Sequence, residues 1–369
     1  MNNTSSDNPD SSDAFGFEID FLPVGEKDGD AICLRWGKNL KGSNPDQFVM
    51  VVDGGYKQTS DSVLSFLKHY YHPEKIDLMV NTHPDKDHAE GLPDIVSKMS
   101  VERLWMHDPW NRSDLAGLQP DKRRTTPGIQ RQLASEMEPA KETYDQVADR
   151  KCESPFAGPS ETLKGVPVQV LGPTKQYYDE LLEDILADSY HDNEKVKYDE
   201  TKKEIWRSNL FTDEGWTTPR NNSSIILSLN IPKYGVVLLT GDAGIPALNN
   251  ACDYLERTGS TLLEQLTLFQ IPHHGSIQNL GPAILKRLLG PSRKRSSRWA
   301  CVSVAGTDDP KHPSKHVLNA LCESNVRCVM TAGKSIHFAY GSVPPRKGWV
   351  KCEPIPLYKH VEKTFIHSN

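Results

Sequence analysis

The segment His83-Pro84-Asp85-Lys86-Asp87-His88 places two imidazoles and two carboxylates within six residues, immediately after the apolar run Ile76-Asp77-Leu78-Met79-Val80-Asn81. Such a run reads as a buried strand. So many nitrogen and oxygen donors at its end are best explained by divalent metal, which points to an enzyme. On a tight loop the four converge more comfortably on two neighbouring ions than on one. Asp242 and the pair His273-His274, each after another predicted strand, supply further donors. The count suits a two-metal site, in which ions about 3.5–4 Å apart clamp the attacking and leaving oxygens of a displacement. Isolated histidines are usually satisfied core or surface groups, and His69, His72, His107, His191, His360 and His367 are read that way.

A chain of 369 residues with 37% hydrophobic side chains can bury a substantial core, and one large domain with insertions accounts for it. The net charge of -6 is too mild to announce generic polyanion binding, so any nucleic-acid contact has to come from a local basic patch. Seven cysteines, an odd number without close paired spacing, fit a reducing compartment better than a disulfide framework. No apolar run approaches the roughly 20 residues that span a bilayer. The first residues are Asn, Ser and Asp, not a basic and then apolar leader. The expectation is a soluble, cytoplasmic protein with no membrane partner.

Residues 1–14 are small and polar and are expected to form a disordered tail. Strands are predicted at 17–22, 31–36 and 47–52, the first two joined as a hairpin through Lys27-Asp28-Gly29-Asp30. Thr59 or Ser60 is expected to cap a helix carrying Val63, Leu64, Phe66 and Leu67. Pro93 opens another helix and a strand follows at 101–106, the alternation of a layered α/β protein. The polar stretch of about 108–161 reads as irregular. Residues 177–204, rich in Asp, Glu and Lys, read as a peripheral surface insertion, the start of a longer one of about 177–220, with partner binding or substrate gating as the alternative. Further strands are predicted at 166–171, 224–231, 235–240, 267–271, 300–304 and 326–331, and helices near 284–289 and 315–322.

Several shorter motifs accompany the histidine loop, which continues as Ala89-Glu90-Gly91-Leu92. In chain order they are Asp30-Ala31-Ile32, Val52-Asp53-Gly54-Gly55, Asn222-Ser223-Ser224-Ile225-Ile226-Leu227, Leu239-Thr240-Gly241-Asp242, Pro272-His273-His274-Gly275-Ser276 and His312-Pro313. With these the chain resembles the metallo-beta-lactamase superfamily, especially the soluble hydrolase domain of the ComEC/Rec2 DNA-uptake proteins. The resemblance covers about residues 15–340 and implies an α/β fold, a four-layer αββα sandwich of two mixed sheets. Insertions fall at about 108–161 and 177–220, and 341–369 forms a C-terminal extension. It also implies two divalent metal ions, one bound by His83 and Asp85, the other by Asp87 and His88, with Asp242 bridging them. His273 is the preferred last ligand of the second ion, with His274 behind it or against substrate. His312 would hold a phosphate oxygen or donate a proton. The commoner superfamily pattern has a histidine where Asp85 stands, and no convincing histidine between His107 and Asp242 supplies a further first-ion ligand unless His107 is recruited. Zinc and manganese lead as the metal, with magnesium a third candidate for so carboxylate-rich a shell.

The implied chemistry is attack of a metal-bound hydroxide on phosphorus or a carbonyl, driven by electrostatics and positioning, with Asp85 or Asp87 orienting the nucleophile. The resemblance favours a phosphodiester, DNA or a related nucleotide, and so a nuclease or phosphodiesterase. Lys286-Arg287, Arg293-Lys294-Arg295, Arg298 and the later Lys334 would hold backbone phosphates. Gly275-Ser276 offers an N–H and a hydroxyl beside the metals to phosphate or carboxylate alike. Two other readings stay open. One is hydrolysis of a small ester, thioester or lactam. The other is a non-catalytic metal-binding scaffold that meets a protein partner through the 108–220 insertions.

Overall fold

Alternating and continuous apolar runs build two seven-stranded sheets in this computed structural model, which describes residues 14–118, 123–147, 151–191, 211–290, 298–306 and 312–359. The first sheet contains β1 (Phe15–Phe21), β2 (Ile32–Lys38), β3 (Asp46–Val52), β4 (Ile76–Val80), β5 (Val101–Trp105), β6 (Lys151–Glu153) and β14 (Ile336–Gly341), in the order β14-β1-β2-β3-β4-β5-β6. The second contains β7 (Glu161–Leu163), β8 (Val166–Gly172), β9 (Ile226–Ile231), β10 (Gly235–Leu239), β11 (Leu266–Gln270), β12 (Trp299–Val302) and β13 (Arg327–Met330), in the order β13-β12-β11-β10-β9-β8-β7. Both are mixed. Strands β14 to β3 pair antiparallel and β3 to β6 parallel, while β7 to β10 pair antiparallel and β10 to β13 parallel.

The sheets pack face to face through residues at alternate strand positions, among them Phe17, Ile19, Leu34, Trp36, Met50 and Val80 against Val168, Leu227, Val237, Leu239 and Leu268. Trp36 also donates its indole N–H across the sandwich to the Leu163 carbonyl at 2.9 Å, satisfying a buried donor. Helices cover the outer faces, giving the expected αββα layering. On the first sheet lie α1 (Thr59–Phe66), which continues as a π-helical turn to Tyr71, α2 (Lys86–Ala89), α3 (Leu92–Lys98), α4 (Thr126–Glu136), α5 (Glu138–Val147) and α6 (Lys175–His191). After the short α7 (Pro219–Asn222), the second sheet is covered by α8 (Ile245–Arg257), α9 (Pro282–Leu289) and α10 (Lys315–Glu323).

Three expectations about the elements need correction. The 108–161 region is not irregular: α4 and α5 pack Ile129, Leu133, Ala140 and Val147 into the first sheet's outer core, and β6 and β7 add a strand to each sheet. Nor is the start of the 177–220 region peripheral, because Tyr178, Leu182, Ile185 and Leu186 of α6 are buried in that same core. Its residues 192–210 lie outside the described ones, as do 1–13 of the tail and 360–369 of the extension. Thr59 and Ser60 do not cap α1. The N-cap position is Gln58, and Thr59 donates its hydroxyl to the Val24 carbonyl instead. Among the described residues no helix is long and apolar enough to cross a membrane, and all seven cysteines are free thiols.

Candidate metal centre

The parallel pairs β3–β4 and β10–β11 open their C-terminal ends onto loops at one edge of the sandwich, and those loops carry the predicted donors. After β4 the chain passes His83 and enters α2 at Asp85. This residue has the extended backbone of an N-cap but caps nothing with its side chain, so its carboxylate stays available. Asp87 and His88 lie within α2. From the second sheet, Asp242 follows β10 and His273-His274 follow β11. The loops meet closely: a Cβ at Gly241, whose φ is +50°, would lie 2.9 Å from Thr82 Oγ1, so a larger residue there would push the two sheets' loops apart.

All four imidazoles aim Nε2 at Asp242. His83 Nε2 lies 3.8 Å and His273 Nε2 3.5 Å from Oδ2, whereas His88 Nε2 lies 3.3 Å and His274 Nε2 3.9 Å from Oδ1. Asp85 approaches His83 Nε2 at 3.7 Å, and Asp87 approaches His88 and His274 Nε2 at 3.6 and 3.3 Å. Asp87, His88, Asp242 and His274 form a group whose ligand atoms all lie within 4.8 Å of one another. The structure thus places His274 in the second group, where the sequence reading preferred His273. Both residues have left-handed backbone, φ 48° and 53°, which sends the two rings to different oxygens of Asp242.

Each Nδ1 is already committed, and its partner fixes the tautomer. His88 Nδ1 donates to Asp53 Oδ2 at 2.8 Å and His274 Nδ1 to the Ser303 carbonyl at 2.9 Å. Asn279 donates its amide N–H to the Asp242 carbonyl, so its oxygen must accept from His273 Nδ1 at 2.9 Å. Thr82 Oγ1 gives its proton to Asp53 Oδ2 and therefore accepts from His83 Nδ1 at 3.1 Å. The lone pairs of all four Nε2 atoms then face the centre, the usual arrangement of histidine ligands backed by a second layer.

Carboxylates crowd the same space. Burial opposes charge on His274, but Asp242 and Asp87 outweigh it and raise its pKa to about 9. Burial likewise opposes ionised Asp87, yet His88 and His274 hold its pKa at about 2. Protons on His88 and His274 thus stand where a cation would, and metal loading would release them. A further group, Asp30, Asp53 and His88, also has closely spaced donors. Here His88 presents Nδ1, already bonded to Asp53, while Asp53 receives Thr82 N and Oγ1, and Asp30 receives Gln270 Nε2 at 2.7 Å. We read this group as the layer behind the ligands.

The other predicted residues fall less uniformly. His312 stands beside the centre, its ring 5.7 Å from that of His273, with Nδ1 3.0 Å from Asp28 Oδ2. Ser276 is buried and its hydroxyl accepts the Gln278 N–H, which props the turn after the two histidines. Lys334 is exposed in the turn between β13 and β14, where its charge bears on Cys352 and not on the histidines. His107 is not recruited: it is packed against Phe156 and Tyr178, bonded to Ser154 and pushed by burial to a pKa of about 3. Asp28, Asp53 and Asn279 carry no assigned role in the sequence reading. A signal was present only for Asp53, an acid at the end of an apolar strand.

No family model matches the chain, and no curated protein matches it. Among solved structures it is similar to Tm1679, a metal-dependent hydrolase of the beta-lactamase superfamily, with 11% identity over 87% of this chain and 98% of that one and a TM-score of 0.42. It is also similar to the archaeal metallo-beta-lactamase superfamily protein ST1585 of Sulfolobus tokodaii, with 14% identity over 83% and 96% of the two chains and a TM-score of 0.33. A metallo-beta-lactamase from Hirschia baltica gives 12% identity over 73% and 96%, with a TM-score of 0.31. At overlaps this low the chemistry has to be read from the chain's own histidines and aspartates.

Proposed function

We propose that this chain is a metal-dependent hydrolase. The observation that carries the reading is the convergence of four imidazole Nε2 atoms on the two oxygens of one buried carboxylate, Asp242. His83 Nε2, His88 Nε2 and Asp242 Oδ1 are buried without a hydrogen-bond partner. Groups left so cost roughly 1–3 kcal/mol each unless something else engages them, and an all-nitrogen-and-oxygen donor set fits zinc or manganese. Asp87, His88, Asp242 and His274 would hold one ion, and His83 and Asp85, sharing Asp242, the other. Bound there, divalent cations lower the pKa of water and offset negative charge growing on a substrate oxygen.

The chain's own groups position and move protons. Asp85, about a third exposed at 33%, is the carboxylate most open to solvent and is placed to orient an incoming nucleophile. Burial works against the Asp28 carboxylate, but hydrogen bonds from His312 and the Ala305 N–H hold its pKa below the usual value. It stays ionised and accepts the His312 Nδ1 proton; a ring so held that also carries a proton on Nε2 would give that second proton to a leaving group.

As substrate we favour a small ester, thioester or lactam over a polynucleotide. Two of the basic residues that would track phosphates are engaged elsewhere: Arg287 bonds Asn249, Asp253 and Glu256, and Arg298 donates to the Leu266 and Leu289 carbonyls. Arg293, Lys294 and Arg295 lie outside the described residues. Kinship with the DNA-uptake hydrolases rests on the motifs alone, and the free thiols support a cytoplasmic setting. The test loads purified protein with zinc or manganese and assays small esters, thioesters, lactams, a phosphodiester, DNA and RNA, with Asp242→Ala as control. Turnover of a small carbonyl substrate that is lost in the variant supports the proposal. Salt-sensitive cleavage of DNA or RNA would replace the substrate reading, and full metal loading without turnover would favour a scaffold.

A further inference from the structure

The adjacent histidines of the second sheet are not alternatives for one position. We infer that they divide between two ions, and that His273 is the histidine that completes the first ion's set among the described residues. This rests on the metal-centre reading above. Oδ2 of Asp242 is shared by His83 at 3.8 Å and His273 at 3.5 Å, and Oδ1 by His88 at 3.3 Å and His274 at 3.9 Å. Two ligands of one tetrahedral ion with bonds of about 2.0–2.1 Å sit about 3.4 Å apart, so these pairs have the spacing that a shared cation imposes. A carboxylate that meets one ion through each oxygen is the natural bridge between ions about 3.5–4 Å apart.

Three further observations separate the two rings. His273 is absent from the compact group of Asp87, His88, Asp242 and His274, so the second ion has its set without it. Its Nδ1 is clamped by Asn279, which also holds the Asp242 main chain through the Asp242 carbonyl, tying the ring to the carboxylate it faces. The successive left-handed residues His273, His274 and Gly275, with φ of 48°, 53° and 78°, form the turn from which the two neighbouring rings face different oxygens of Asp242. The second set is then the compact group of Asp87, His88, His274 and Oδ1 of Asp242, and the first would be drawn together on binding from His83, Asp85 and His273, of which His83 and His273 face Oδ2 and Asp85 faces His83. Each ion receives two imidazoles, one carboxylate of its own and half of the bridge. Asp85 thus replaces one histidine of the commoner pattern, and His273 supplies the other from a different strand end.

Manganese binding tests the division. Purified wild type, His273→Ala and His274→Ala are titrated with Mn(II), with metal content read by mass spectrometry after gel filtration and ion coupling by electron paramagnetic resonance. Wild type is expected to hold two ions with a spin-coupled signal. His273→Ala should keep one ion of nearly unchanged affinity and show an isolated six-line signal, the other being weakened about 100-fold or more. Two tightly held, coupled ions in His273→Ala would overturn the inference and leave the hydrolase reading standing, whereas retention of neither manganese nor zinc by wild type would remove both. If the variant does not fold, anomalous scattering from manganese-soaked wild-type crystals decides. A peak bonded to His83 and His273 supports the division. Both histidines of the pair on one ion, or His273 turned away from every peak, overturns it.

Discussion

Asp53 governs two of the four imidazoles although it faces no ion position. Its Oδ2 accepts from His88 Nδ1 and from Thr82 Oγ1, and Thr82 in turn accepts from His83, so one carboxylate orients a donor on each side of Asp242. Asp53→Asn keeps the shape but converts one acceptor oxygen into a donor that clashes with an N–H or O–H. It is expected to weaken manganese binding roughly 10–100-fold, as loss of backing partners does elsewhere. Competition with a metal indicator measures it, and unchanged affinity would show that Asp53 serves only the turn. His312→Gln should leave metal content intact while lowering kcat by roughly 10²-fold or more, the scale of general acid catalysis; an equal loss of metal would make His312 a structural prop. The loop from His83 to His88 was legible because its donors are contiguous. The assignment of His273 and His274 was not, because it depends on backbone φ at two adjacent residues, and no residue pattern distinguishes His107 in an aromatic pocket from a ligand.

Elements show the same division between what is local and what is not. The apolar runs of β3, β4, β9 and β10 were readable because burial on both faces leaves continuous hydrophobic stretches. Helices α4 and α5 were missed because a few apolar positions, Ile129, Leu133, Ala140 and Val147, anchor otherwise polar sequence. Harder still was the outer face of β1, where alternation suggests solvent but Glu18 and Asp20 are fully buried. There Arg35 pairs with Glu18, while Arg346 from the C-terminal extension bonds Asp20 and Glu18 and stacks near Phe66, Tyr70 and Trp349. Arg346→Ala strands buried carboxylates and is expected to cost about 3–5 kcal/mol at neutral pH, read by urea unfolding. Burial alone would raise the pKa of Asp20, but hydrogen bonds from His337 and Arg346 bring it below 3.8. A depressed folded value contributes stability above the unfolded pKa, lost as pH falls through the folded one. The gap between wild type and variant should therefore narrow in acid below about pH 4; a gap independent of pH would mean that Arg346 acts through its aromatic packing.

At the scale of the molecule, the centre joins the two sheets where their strand ends meet. The first sheet contributes His83, Asp85, Asp87 and His88, and the second contributes Asp242, His273 and His274. Without cations this edge brings several carboxylates together across the sandwich, countered by protons on His88 and His274; with cations in the proposed sites, bonds from both sheets would meet at shared ions. Binding to the folded state alone stabilises it by RT ln(1 + [L]/Kd), about 2.7 kcal/mol when free metal is 100 times Kd. Manganese at that level should raise the unfolding free energy of wild type by about 2.7 kcal/mol for each ion held, a chelator should reverse it, and Asp242→Asn should abolish most of the gain. Hydrogen exchange locates the effect. With the proposed ligands divided between the sheets, protection is expected to rise together in the loops around 82–88, 241–243 and 272–276, which are distant in sequence. Protection confined to 82–88 would mean that the first sheet binds metal by itself, and the two halves of the sandwich would then have no ionic link through Asp242.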